Sequence, residues 1–301
     1  MSSRRLMIDG DVLRYEIGAV AMKKDVMFGE TVLTPFPDYK VQNLVDDMIE
    51  KIVRRTDSDA YEVFLSGGTN YRSEIAITDP YKGTRASAKP YHWKTVDSIL
   101  RRDYDAYIIH GAEADDALSI FGRQDPDNTI IASRDKDLRI VPCLHYSWKC
   151  GESQPEVPVH KVDELGWIEA KKYNSGGYKI IGCGLKFFYG QVLAGDSIDN
   201  YKGCPSCGPQ TAANALSGCN TEEELWEATY WIYHKKLGPD EGLRRLLENA
   251  RLAWLLDTAE VHQDDHNITI SPLALWQPPA PIPIGFGGPV PASSTSDNSS
   301  S

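Results

Sequence analysis

Two clusters of carboxylates, Glu113/Asp115/Asp116 and Asp135/Asp137, are the residues of this chain best placed to do chemistry. Each follows a short apolar run, Ala-Tyr-Ile-Ile-His at 106–110 and Thr-Ile-Ile-Ala-Ser at 129–133. A strand that ends in acids and feeds a helix puts those acids in the crevice at the carboxyl edge of an open α/β sheet. Carboxylates packed together repel, and burial raises the cost. A hard divalent cation with oxygen ligands relieves both. Acids in a first helical turn also complement the helix dipole with no metal involved, and either cluster alone would read that way. Two clusters on consecutive strand ends point to a site instead. Asp135 and Asp137 are two apart, which puts both on one face of an extended chain.

The elements that must position these acids follow from the apolar pattern. Residues 4–11 read as a buried strand ending in Asp9 and Asp11, with Gly10 as the turn. Apolar positions from Val41 to Val53 recur at three and four, which predicts a helix over 38–56. A second strand is expected at 61–66, stopped by Gly67-Gly68. A polar, basic loop or short helices should occupy 69–91, and a helix 92–104. Strand 106–110, helix 114–123, strand 129–133 and a short strand at 144–148 come next. Alternating strands and helices predict an α/β fold with a parallel, doubly wound sheet. Four strand ends, at Asp9, Ser66/Gly67, Glu113 and Asp135, would then share one edge. Residues 151–178 carry little pattern. From 184 the chain reads as helical, with long helices at about 221–237 and 239–257. Thr221 with Glu224 forms a capping box, and Pro239 suits a first helical turn. The domains expected are 1–182 as the core, with 69–91 as an inserted segment, and 183–276 as a helical region. A Pro/Gly/Ser tail at 277–301 should be disordered.

The totals narrow the class. No apolar run approaches the ~18 residues of a membrane span, and the first ten residues do not form a signal peptide. Six irregularly spaced cysteines read as reduced cytoplasmic thiols. Net charge is −11, yet residues 72–102 hold seven bases against three acids. A local positive field beside acid clusters suits a metal-dependent enzyme that acts on a polyanion. No phosphate-binding Gly-rich lysine loop and no His-Glu-x-x-His occurs.

Taken together, the motifs resemble the flap endonuclease / 5′-nuclease superfamily, whose fold is PIN-like, and within it the phage 5′→3′ exonucleases. Ile-Asp-Gly-Asp at 8–11 resembles its first metal-binding strand. Asn70-Tyr-Arg72, Tyr81-Lys-Gly-Thr-Arg85 and Lys89-Pro90 resemble its arch. Glu113-Ala-Asp-Asp116 and Ser133-Arg-Asp-Lys-Asp137 resemble its paired acidic motifs. Residues 195–212, Gly-Asp-Ser-Ile-Asp-Asn-Tyr-Lys-Gly and onward, resemble its helix–three-turn–helix duplex-binding element. The resemblance implies a 5′→3′ exonuclease, with flap endonuclease activity as a second possibility. Two Mg2+ or Mn2+ ions, about 4 Å apart, would be its cofactors. The implied metal ligands are Asp9, Glu113, Asp115, Asp116, Asp135, Asp137, Asp196 and Asp199. Lys82 and Arg85 would offset charge on the scissile phosphate. Arg72, Lys89, Lys202, Gly203 and Gly208 would contact nucleic acid, with a monovalent cation in the 203–208 turn. Implied partners are DNA 5′ ends, duplexes, flaps and junctions, with RNA–DNA hybrids open. No membrane is implied, and a cytoplasmic monomer is expected, in the host if the source is a phage.

Three departures stand out. The family carries an Asp at the end of its second strand, where this chain has Ser66-Gly67-Gly68, and Asp11 could compensate. Ser206 and Gln210 stand where the family often has Gly and Lys. Cys204 and Cys207 form a Cys-x-x-Cys with no second pair at zinc spacing, which favours packing over a metal. A PIN-like ribonuclease, or a nucleic-acid binder that has lost a metal site, are the alternatives.

Overall fold

The structure, a computed structural model, describes residues 4–20, 22–27, 30–84, 88–152, 154–173 and 176–282. In chain order, β1 (Arg5–Asp9) runs directly into α1 (Gly10–Val20), followed by the hairpin β2 (Met22–Met27) and β3 (Glu30–Pro35). Then come α2 (Asp38–Thr56), β4 (Tyr61–Asn70), α3 (Arg72–Ile75), α4 (Trp93–Asp103), β5 (Tyr107–Gly111), α5 (Ala114–Gln124) and β6 (Thr129–Ala132). A 3-10 turn at Asp137–Ile140 leads to β7 (Leu144–Ser147) and β8 (Val157–Lys161). A separate hairpin pairs β9 (Trp167–Lys172) with β10 (Tyr178–Cys183). Helix α6 (Gly184–Ala194), the two-residue strands β11 (Gly195–Asp196) and β12 (Tyr201–Lys202), and α7 (Pro209–Leu216) follow. Helices α8 (Glu222–Leu237) and α9 (Pro239–Ala253) precede a last hairpin, β13 (Ala259–Asp264) and β14 (Asn267–Pro272).

The central sheet has the order β13-β14-β5-β4-β1-β6-β7-β8. From β14 to β7 every pairing is parallel, and antiparallel partners close each edge. The middle strands carry consecutive buried residues, Leu6–Ile8, Val63–Leu65 and Ile130–Ala132, because both faces are covered. Alternation sends Leu6, Ile8, Val63, Leu65 and Ile130 into a core with α1, α2 and α4. Met7, Phe64, Ile109 and Ile131 point the other way, into a core shared with α5 to α9. The aromatic group Phe188, Tyr189, Trp226 and Trp276 fills the far side of that second core. Burying a side chain of this size contributes on the order of 2–3 kcal/mol.

The region after 183 is helical through Ala253, as its periodicity predicts, but the chain then returns to the sheet. Strand β14 pairs in parallel with β5, so this hairpin widens the core sheet. Thr221 caps α8 by accepting a hydrogen bond from the Glu224 amide at 3.2 Å. The tail expected at 277–301 lies, from 283 on, outside the described residues. Among the described residues no helix is long and apolar enough to cross a membrane.

Candidate active site

Parallel pairing in register brings the carboxyl ends of β1, β4, β5 and β6 to one edge. Asp9 is the last residue of β1 and is fully buried. Its carboxylate accepts from the Val12 amide at 3.1 Å and the Ser133 hydroxyl at 2.6 Å. Ser133 in turn accepts from the Asp135 amide at 2.9 Å, so one hydroxyl ties the β1 and β6 ends together. Asp115 lies in the first turn of α5 and joins them from the β5 side. Burial, then repulsion from Asp11 and Asp135, pushes the Asp9 carboxyl up to about 7. Burial, then Asp137, pushes Asp135 up to about 6. Asp115 is raised well above the carboxylate range by burial and by Asp135 and Asp9. No cationic side chain pairs with any of the three among the described residues.

The outer carboxylates have cations of their own. Lys82 binds Glu113 through its ammonium, which lies 3.7 Å from Asp199. Burial pushes Glu113 up, but Lys82 and Arg72 outweigh it and hold the group below its usual range. Asp199 is raised, because burial and repulsion from Asp137 and Glu113 exceed the pull of Lys82. Tyr81 donates to Glu113 at 2.8 Å. Lys136 bridges Asp137, at 2.7 Å, and Asp196. The Gln191 amide donates to Asp137 as well. Asp196 is lowered, since Lys136 and the amides of Ile198 and Asp199 overcome its burial.

Two cavities flank this row, of about 480 Å3 and 630 Å3. Both are bordered by Tyr81, Lys82, Glu113, Asp115 and Asp135. The first continues along Lys136, Asp137, Asp196 and Asp199, and the second along Asp9, Asp11, Ser66 and Lys89. The Tyr81–Lys82 bridge therefore sits between two approaches to one acidic edge.

Two of the expected site residues are bonded to each other in this fold. Asp116 and Arg72 are 0% and 1% exposed and form a bidentate pair at 2.7 and 2.8 Å. Asp116 also accepts from the amides of Glu113 and Leu256, each at 3.1 Å. Arg72 spends its other donors on the carbonyls of Leu252 and Trp254. Asp116 thus has its oxygens filled on the core side of α5, and Arg72 locks β4 and α3 to the end of α9. Arg72 still borders the first cavity, with its guanidinium 3.6 Å from Glu113. Arg85 lies outside the described residues.

The second-strand departure has a physical reading. Ser66 accepts from the Ala114 amide at 2.9 Å, at the start of α5. A side chain at Gly67 would meet the Ile109 carbonyl at 2.7 Å, which leaves room only for glycine. Asp11 accepts from the Ser66 amide at 3.0 Å and pairs with Arg14. A carboxylate therefore does stand over this strand end, supplied from α1.

In the helical turn, Lys202 is exposed and pairs with Asp79 at 3.3 Å. A Cβ at Gly203 would lie 2.1 Å from the Leu193 carbonyl, so this glycine lets the turn pack on the end of α6. Gly208 caps α7 and is open on its outer side. Cys204 and Cys207 are buried, and burial pushes their thiols up to about 12 and about 11. Lys89 stacks on Trp93 at 3.6 Å beside the second cavity. Sequence reasoning missed Ser133, Lys136 and Gln191 as site residues. Ser133 and Lys136 belong to the Ser133–Asp137 motif, while nothing local marks Gln191.

Comparisons with known proteins agree with this architecture. No protein-family model matches the chain. A 5′-exonuclease of bacteriophage T5, solved with bound zinc ions, superposes with a TM-score of 0.53 at 14% identity. That match covers 83% of this chain and 93% of the other. A bacteriophage T5 flap endonuclease variant, in a pseudo-enzyme–product complex with DNA and metal ions, gives 0.52 at 14% identity over 83% and 91%. The chain therefore shares the fold of those bacteriophage proteins. In sequence, the chain is 28% identical over 202 residues to a DNA polymerase I of Rhizobium leguminosarum. The match takes in 64% of this chain but spans only 18% of the polymerase.

Proposed function

We propose that this protein is a divalent-metal-dependent 5′→3′ DNA exonuclease, with action on 5′ flaps as part of the same chemistry. The observation that carries the reading is the trio Asp9, Asp115 and Asp135. These three carboxylates share a buried edge without a direct ion pair among the described residues, and burial with mutual repulsion weakens their acidity. Such a set is completed by hard cations, of which Mg2+ and Mn2+ suit all-oxygen donors.

Among the described residues no three potential ligands converge closely enough to hold one ion in this arrangement. The donor chemistry nonetheless fits. Asp9, Asp115 and Asp135 would form the inner set, with Glu113, Asp137, Asp196 and Asp199 joining as Lys82 and Lys136 release them. Bound ions would activate the attacking water and neutralise the leaving oxygen. Lys82, freed from Glu113, would stand by the scissile phosphate and stabilise its growing negative charge. Ser133 keeps Asp9 and the Asp135 backbone in fixed relation. Lys89, in the second cavity, would hold the strand beyond the scissile bond. Lys202, with the open end of α7 at Gly208, would hold duplex on the other side, and a monovalent cation in the 203–208 turn belongs to the same proposal. Substrates would be DNA 5′ ends and junctions, met by a monomer in the cytoplasm.

The test is digestion of linear duplex labelled at either 5′ or 3′ ends, beside covalently closed circles, with Mg2+ or with chelator. Label should be released first from the 5′ end, only with Mg2+, and circles should survive. Equal digestion of circles would indicate a non-specific endonuclease, and early loss of 3′ label would reverse the polarity. Binding without any cleavage would favour the non-catalytic reading suggested by the missing carboxylate at Ser66.

A further inference from the structure

Residues 76–83, which carry Lys82, do not stand free of the fold. Glu248 of α9 is 6% exposed, and its carboxylate is filled by this segment. One oxygen accepts from the amides of Ile77, at 2.8 Å, and Thr78, at 2.6 Å. The other accepts from the Thr78 hydroxyl at 2.6 Å and from Arg244 at 3.1 Å. Four donors use the acceptor sites a carboxylate has. Burial pushes Glu248 up, but the Thr78 and Ile77 hydrogen bonds outweigh it and keep the group ionised.

The segment beyond is fastened to the same region. Asn200 donates to the Pro80 carbonyl at 2.8 Å, and the Lys82 amide donates to the Asp199 carbonyl at 3.0 Å. A turn closes from the Pro80 carbonyl to the Gly83 amide at 2.9 Å. Within it Lys82 has φ +55°, a left-handed conformation that a lysine keeps only when its surroundings impose it. Residues 77–78 are the points just before this turn that a buried side chain holds, since the Asp79 partner, Lys202, is exposed.

We infer that Glu248 is a positioning residue for Lys82, fixing residues 77–78 so that the ammonium is delivered to Glu113 and Asp199 at the acidic edge. The proposal rests on the nuclease reading above for the consequence in rate, while the tether itself does not. Glu248 lies on α9, whose Asn249 donates to the Lys202 carbonyl at 2.8 Å. The helix that sets Lys82 therefore also touches the expected duplex-gripping turn.

Three full-length variants test this: Glu248→Ala, Glu248→Gln and Thr78→Ala. In Glu248→Ala, hydrogen exchange at amides 77–83 should quicken by about tenfold or more, with β1 and α5 unchanged. Glu248→Gln keeps one carbonyl oxygen for the two amides and should stay within about threefold of the parent. On 5′-labelled duplex with Mg2+, the single-turnover rate of Glu248→Ala should fall about tenfold, with affinity in Ca2+ nearly unchanged. Adding Lys82→Ala to Glu248→Ala should cost far less than Lys82→Ala alone, because both remove one function. Thr78→Ala should shift exchange and rate in the same direction by less, and carries the test if Glu248→Ala does not fold. Unchanged exchange at 77–83 would overturn the proposal, as would rate losses for the two substitutions that simply multiply. If the parent protein cleaves no nucleic acid, the nuclease reading fails while the exchange measurement still decides the tether.

Discussion

Asp115 and Asp116 are neighbours in the first turn of α5, yet they belong to different regions of the molecule. Asp116 turns toward the core, where Arg72 and two amides saturate it. Asp115 turns toward the groove and joins Asp9 and Asp135, with no direct ion pair among the described residues and Lys82 acting on it only from a distance. The same contrast runs along the whole edge. Glu113, Asp137 and Asp196 lean on Lys82 or Lys136, while the inner three lean on one another. A paired carboxylate is a finished structural element, whereas an unpaired buried one stores repulsion that a cation can release. Acid content alone does not mark the site; the lack of a direct ion pair on the inner acids does, since Lys82 and Lys136 act on Asp115 and Asp135 only from a distance.

The sharpest way to break this contrast is to remove one inner charge. Asp135→Asn should lower the single-turnover cleavage rate by about a thousandfold or more, the scale of losing a central catalytic group. Without metal the same variant should melt at the parent temperature or above it, because repulsion from Asp9 and Asp115 is relieved. A variant that loses activity because it unfolds would mean that Asp135 is structural. Next in size is Lys82→Ala. It should slow single turnover by about a hundredfold while affinity changes little, because its charge acts on the developing transition state. Lys89→Ala should instead weaken binding several-fold and reduce the salt slope by about one ion. If both lysine variants lose only affinity, Lys82 is a docking residue.

A smaller effect concerns pH. The Asp9 and Asp135 carboxyls sit at about 7 and about 6 in the folded chain, above their ordinary 3.8. Their contribution to stability is thus fully present below about pH 4 and is lost as pH rises through 6 to 7. With chelator present, the melting temperature of the parent should fall across that window by roughly a few degrees. Asp135→Asn should flatten the fall, and an equal slope in both proteins would place the strain elsewhere.

The sequence made the acidic edge legible because its signal is local. Apolar β-branched runs leading into acids specify both the strands and what they present, and β5 and β6 lie where those runs predict. Strand β1 stops at Asp9 with Asp11 on α1, and β4 continues through Gly67-Gly68 to Asn70. The helix over 38–56 was equally legible, since its apolar face repeats at three and four. What stayed hidden depends on distant partners. Arg72 lies in a basic run and reads as a phosphate contact, and only the carbonyls of Leu252 and Trp254 reveal it as a core residue. The last hairpin went unread because β13, Ala-Glu-Val-His-Gln-Asp, is a mostly exposed edge strand with little apolar alternation. Helix α1 went unread because it begins at Gly10 with no break after β1. Glu248 looks like any surface acid of an amphipathic helix until residues 77–78 fold over it.

The claim that the inner carboxylates await a cation is tested most directly by titration calorimetry with Mn2+ near pH 6.5, run on the parent and on Asp135→Asn in two buffers of different ionisation enthalpy. The parent should bind Mn2+ and release protons, because ions displace them from carboxyls whose affinity for protons is raised. Asp135→Asn should bind more weakly by about tenfold or more and release fewer protons. Equal binding by parent and variant, or no binding by either, would contradict the account.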